Sequence, residues 1–138
     1  MTATGSCLCG AVRFEAAGVS NEIHACHCTM CRNWSGGPGM GINVESVEFE
    51  SEEQLGRYDS SAWAERVFCT RCGTNLFYRL KEPNSYTIWL GAFDDQTPFA
   101  LTGEIFVDEK PASYDLAGDH PRMTGAEFIA SLNLPGGD

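Results

Sequence analysis

The chain has 138 residues, 43% hydrophobic and 20% charged, which fits one soluble domain spanning residues 1–138 with a single core. Nine Lys and Arg face nineteen Asp and Glu for a net charge of −10, which excludes a generic nucleic-acid binder, because such affinity comes largely from neutralising phosphates with basic side chains. No apolar run approaches the roughly 20 residues of a membrane span, and Met1 to Gly5 lack the basic-then-apolar pattern of a secretory signal, so a cytoplasmic protein is expected.

In chain order, residues 11–15 alternate as a strand after a turn at residues 7–10. Residues 22–26 form a weaker strand, and residues 35–39, with three glycines and a proline, read as a loop. Strands are expected at residues 41–44 and at 47–50, where Val47 and Phe49 face inward. Further strands are expected at residues 64–68, 74–79, 86–90 and 103–107. Between the third and fourth of these six, Cys69 and Cys72 fall at a hairpin tip. Arg66, Arg71, Arg79 and Lys81 bunch there and read mostly as a solvated strand face. Thr124-Gly125-Ala126-Glu127 matches a capping box, with Phe128 and Leu132 on one helix face and Pro135-Gly136-Gly137 as its end. The fold class is mainly β with a short C-terminal helix.

Seven cysteines organise this pattern. In a reduced compartment a cysteine cluster is more often metal-binding or catalytic than bridged, and an odd number cannot pair off internally. Cys7-Leu8-Cys9-Gly10 and Cys69-Thr70-Arg71-Cys72-Gly73 are both close pairs followed by Gly, which accepts the positive φ of a sharp turn. Together they offer the four sulfurs of a closed structural zinc site. Cys26-His27-Cys28-Thr29-Met30-Cys31 differs, because Arg32 follows it instead of Gly. Its three sulfurs converge only if the chain turns after Cys28, at Thr29 and Met30. Three ligands leave one tetrahedral position for water or substrate, where a thiol would be held as thiolate or a carbonyl polarised.

Two other readings stand beside this one. The central cluster could be buried or redox cysteines without metal, or Cys69 and Cys72 could close on it, stranding Cys7 and Cys9. His27 should point away from its flanking cysteines and pack or face solvent. His24 is the nearby candidate for a fourth ligand, and His120 reads as a turn residue. Arg32 is the first candidate to orient a substrate carboxylate, and Trp34 a candidate apolar wall.

Residues 7–14, 26–32 and 68–74, with residues 103–111, resemble the glutathione-dependent formaldehyde-activating enzyme family, which also contains centromere protein V-type domains. The resemblance implies a β-tent-like fold of stacked antiparallel sheets with two zinc ions. One ion is structural, at Cys7, Cys9, Cys69 and Cys72; the other is catalytic, at Cys26, Cys28 and Cys31. It implies a carbon–sulfur lyase adding glutathione to formaldehyde to give S-hydroxymethylglutathione. A lyase acting on another thiol or aldehyde, or a non-catalytic zinc-binding module for a protein partner, are the alternatives; exposed apolar surface around Trp63 or Trp89 would favour the module.

Overall fold

The computed structural model describes residues 1–132. Ten strands form two sheets, of three and seven strands. The strands are β1 (Ala3–Ser6), β2 (Arg13–Ala17), β3 (Glu22–Cys26), β4 (Gly39–Val44), β5 (Ser46–Phe49), β6 (Leu55–Asp59), β7 (Ala64–Cys69), β8 (Asn75–Leu80), β9 (Ser85–Trp89) and β10 (Ala100–Ile105). Helix α1 covers Thr29–Ser35 and helix α2 covers Gly125–Leu132. The mainly-β expectation is borne out. The described residues divide into two compact units, Met1–Glu22 with Gly41–Phe99, and Ile23–Met40 with residues 100–132.

In the first unit, β1, β2 and β5 pair antiparallel in that order. A second antiparallel ladder runs β4-β9-β8-β7-β6. Alternation explains the β2 register: Phe14 and Ala16 are buried while Arg13 and Glu15 face out. Ile42, Val67, Leu76, Phe77 and Ile88 are fully buried. Phe49 stacks on Phe77 with centroids 5.7 Å apart, so Phe49 turns inward as its alternation implies. Gly5 permits a close approach, since a Cβ there would stand 2.2 Å from the Ala92 carbonyl oxygen.

Two expectations in this unit are corrected. Strands β1 and β6 escaped prediction, being short, polar and glycine-containing. The basic residues near the hairpin are a solvated face only at Arg71, which is exposed; Arg66 is 3% exposed and lies over the Tyr78 ring at 5.2 Å. Arg79 donates to the buried Glu65 carboxylate at 2.9 Å, and Lys81 pairs with Asp59 at 2.9 Å.

The second unit holds β3, β10, α1 and α2. The capping box at α2 forms reciprocally. The Glu127 N–H donates to Thr124 Oγ1 at 3.1 Å and the Thr124 N–H to Glu127 Oε1 at 2.9 Å. Phe128 packs on Phe106 at 6.0 Å, while Leu132 on the same expected face is exposed. The expected helix end at Pro135-Gly136-Gly137 lies outside the described residues. The last expected strand ends at Ile105, where Phe106 takes a left-handed conformation and Val107–Glu109 form a 3-10 turn.

Candidate active site

The first unit brings Cys7, Cys9, Cys69 and Cys72 together, their sulfurs all within 4.8 Å of one another. Gly10 and Gly73 both have φ of 80°, which is why each pair is followed by the residue without a Cβ. The turns aim backbone donors at sulfur: the Val12 N–H approaches Cys7 Sγ at 3.3 Å, and the Arg71 N–H approaches Cys69 Sγ at 3.3 Å. The Thr74 hydroxyl, 3.1 Å from Cys72 Sγ, lowers that thiol to about 5. Four converging sulfurs, one of them an easily formed thiolate held by N–H and O–H donors, fit a closed tetrahedral metal site.

The second unit brings Cys26, Cys28 and Cys31 together within the same 4.8 Å limit. The chain does reverse after Cys28, but through a helix instead of the simple turn expected at Thr29 and Met30. Cys26 ends β3 and Cys28 is the N-cap of α1, extended at φ −62° and ψ 154°. Its sulfur takes the part a cap oxygen usually plays, accepting the Cys31 N–H at 3.3 Å. One helical turn then returns the Cys31 side chain to the other two. Contact with Cys26 and then Cys31 pulls the Cys28 thiol far down, and contact with Cys28 and then Cys31, with burial, pushes Cys26 up. These contacts favour the thiolate at Cys28 over one at Cys26.

Arg32 follows the third sulfur in α1. Its Nε donates to the His27 carbonyl at 2.9 Å, and the guanidinium makes no ion pair among the described residues. Trp34 lies half-buried on the same helix. His27 is completely buried, with both ring nitrogens hydrogen-bonded away from sulfur: Nδ1 to the Tyr114 hydroxyl at 2.9 Å and Nε2 to Glu104 Oε1 at 2.7 Å. It packs as alternation requires and does not join the ligand set. His24 also stays out of both sulfur groups and lies beside Gly103.

His120 is more than a turn residue, because its Nε2 meets Glu104 Oε2 at 2.6 Å. Burial alone would raise the Glu104 carboxyl; His120, His27 and the Arg122 charge outweigh it and hold it below the usual carboxylate range. Glu109 accepts both the N–H and the hydroxyl of Thr29, at 2.9 and 2.8 Å, anchoring the first turn of α1. Glu104, Glu109 and Tyr114 were not singled out from sequence. One signal was available: an acid inside the apolar strand pattern of Ile105, Phe106 and Val107 must have found partners.

A family model described as glutathione-dependent formaldehyde-activating enzyme matches residues 2–109. The chain belongs to that family. Among curated proteins, it is 33% identical over 132 residues to an uncharacterized lyase of Schizosaccharomyces pombe, covering 93% of this chain and 95% of that one. It is 32% identical over 87 residues to a candidate glutathione-dependent formaldehyde-activating enzyme of Halomonas elongata, spanning 56% of this chain and 55% of that protein. The crystal structure of a Rhodobacter sphaeroides protein matches with a TM-score of 0.58 at 18% identity, over 86% of this chain and 98% of the other, a likeness of fold. Family and relatives together support a lyase whose chemistry relates to glutathione and formaldehyde. The two cysteine groups that could hold metal are those expected from the spacing, and Cys69 and Cys72 close on Cys7 and Cys9.

Proposed function

We propose that the chain is a zinc-dependent carbon–sulfur lyase that adds a glutathione-like thiol to a small aldehyde, of which formaldehyde is the simplest, and reverses the addition. The observation that carries this reading is the contrast in sulfur count. Four sulfurs complete one tetrahedral set in the first unit; three in the second leave one position for a reactant. Zinc held by Cys26, Cys28 and Cys31 would supply a Lewis acid that lowers a thiol's pKa and polarises a carbonyl.

The chain's own residues do the rest. Cys26, Cys28 and Cys31 hold three corners of the site and, as thiolates, favour a cation there. Arg32 is pinned through Nε, so its outer N–H groups are presented in a fixed plane for a substrate carboxylate. Trp34 offers an apolar wall on the same helix. In the addition, a sulfur–carbon bond forms as the carbonyl π bond breaks, and the thiol proton ends on the new hydroxyl through water. Cleavage runs the same steps backwards.

The test is the exchange rate between glutathione and formaldehyde, followed by NMR magnetisation transfer, with and without zinc-loaded protein. Acceleration that a Cys28→Ser variant lacks is expected. No acceleration by the zinc-loaded wild type would move the function to another thiol or aldehyde, or to a binding module. One observation favours that module: Trp63 is 57% and Tyr58 58% exposed. Trp89, the other tryptophan that would have supported it, is buried.

A further inference from the structure

His27 joins the two sulfur-bearing residues at the point where β3 gives way to α1. The torsions on either side of it set where the Cys26 and Cys28 sulfurs stand. All four of its polar atoms are engaged within the second unit. Its N–H donates to the Ile105 carbonyl at 3.1 Å and its carbonyl accepts from Arg32 Nε at 2.9 Å. Its ring is held between the Tyr114 hydroxyl and Glu104. A side chain so placed cannot swing without breaking several bonds in a fully buried position.

Glu104 is the hub of the arrangement. Its side chain is 1% exposed, with Oε1 on His27 and Oε2 shared by His120 at 2.6 Å and Arg122 Nε at 2.9 Å. Its main chain is fixed as well: the Glu104 N–H donates to the Pro121 carbonyl at 3.0 Å, and its carbonyl accepts the Met123 N–H at 2.9 Å. A buried carboxylate is costly unless every oxygen is satisfied, and packed apolar groups often serve stability equally well. What this carboxylate achieves that an apolar group would not is the orientation of the residue between two sulfurs.

We infer that Glu104 is a positioning residue of the three-cysteine site, acting through His27 to hold the Cys26 and Cys28 sulfurs at the spacing a metal ion needs. The inference rests on the metal reading of that site. Partners hydrogen-bonded directly to a ligand typically change metal affinity roughly 10- to 100-fold when mutated; Glu104 acts one residue further out, through His27, so its effect falls at the lower end of that range. Tyr114, on the other ring nitrogen, acts in the same direction with a smaller effect. The four-cysteine group lies in the first unit and shares no member with this network.

The experiment is zinc competition against a chromophoric chelator, on wild type, Glu104→Gln and Tyr114→Phe, with thermal melts. The cobalt-substituted proteins are examined in parallel for the ligand-field bands of the three-sulfur site. Expected are two ions in wild type and one ion held roughly 10-fold more weakly in Glu104→Gln, the lower end of the range for direct partners of a ligand. The other ion should be unchanged, the cobalt bands shifted, and Tyr114→Phe intermediate. Should Glu104→Gln fail to fold, Tyr114→Phe decides: one weakened ion at a wild-type melting temperature supports the role. Two ions in wild type, with variants matching it in affinity and cobalt spectrum, would overturn the positioning role alone. One ion in wild type would overturn the metal reading and this inference with it.

Discussion

Two cysteine groups in one chain are built by different local devices. In the first unit each pair sits on a tight turn closed by a glycine at φ 80°, and the two turns contribute two sulfurs each. In the second unit the sulfurs come from a strand end, a helix N-cap and the first turn of that helix. Two glycine turns bring four sulfurs together, the number of a closed tetrahedral set, and a strand end with a helix start brings three, one short of it. The difference teaches that sulfur count and backbone device go together: the turn-built group suits a structural ion, and the helix-built group suits a reacting one.

Breaking the closed group should have the largest effect. Cys72→Ser removes one of four sulfurs from a group whose proposed ion would link residues near position 8 to the β7–β8 hairpin. Structural zinc contributes directly to folding, with apparent values of about 10–16 kcal/mol in small zinc domains. Loss of soluble protein, or of the cooperative melt by circular dichroism, is the expected outcome. A folded Cys72→Ser protein with an unchanged melt would remove the structural half of the comparison.

Arg32→Ala should leave the fold alone and act mainly on substrate, with the loss of its bond to the His27 carbonyl the smaller effect. Losing a charge-assisted hydrogen bond costs about 1.5–3 kcal/mol, or roughly 10- to 150-fold. Steady-state kinetics should show that loss as a raised KM for a carboxylate-bearing thiol. A small thiol without carboxylates should respond equally to both proteins. An equal loss on both thiols would give Arg32 a structural part through its bond to His27.

How much of this was legible in the sequence differs between the two groups. Glycine after each outer pair is a local signal, and Cys7, Cys9, Cys69 and Cys72 assemble as their spacing implied. The central group was recognised, but its geometry was not. Helix α1 has only seven residues, lacks an oxygen-bearing cap, and carries Trp34 and Ser35 where strong helix formers would announce it. The network behind it joins residues 77 and 87 positions from His27, and no periodicity reports a contact of that range. Apolar strands such as β9, and the α2 capping box, were legible because their signals are contiguous.

Acid should separate the second unit's carboxylate network from the rest. The folded Glu104 pKa lies below its unfolded value. Its contribution is therefore fully present above the ordinary carboxylate range, near pH 4, and is lost as pH falls through the lowered folded value. The stability gap between wild type and Glu104→Gln, from urea midpoints, should be constant near neutrality and close on acidification. A gap that widened as pH fell would reverse the sign of that assignment. The smallest effect belongs to Thr124→Ala, which removes the α2 cap and touches no member of either sulfur group. It should cost about 1 kcal/mol in a denaturant titration, with both ions and the exchange rate retained.

The comparison turns most directly on zinc content and thermal melting of Cys28→Ser, measured on one sample. The expected result is a fall from about two ions per chain to about one, with a cooperative melt retained, since the three-sulfur and four-sulfur groups share no residue. Two ions in Cys28→Ser would contradict the division of the seven cysteines into a closed site and an open one.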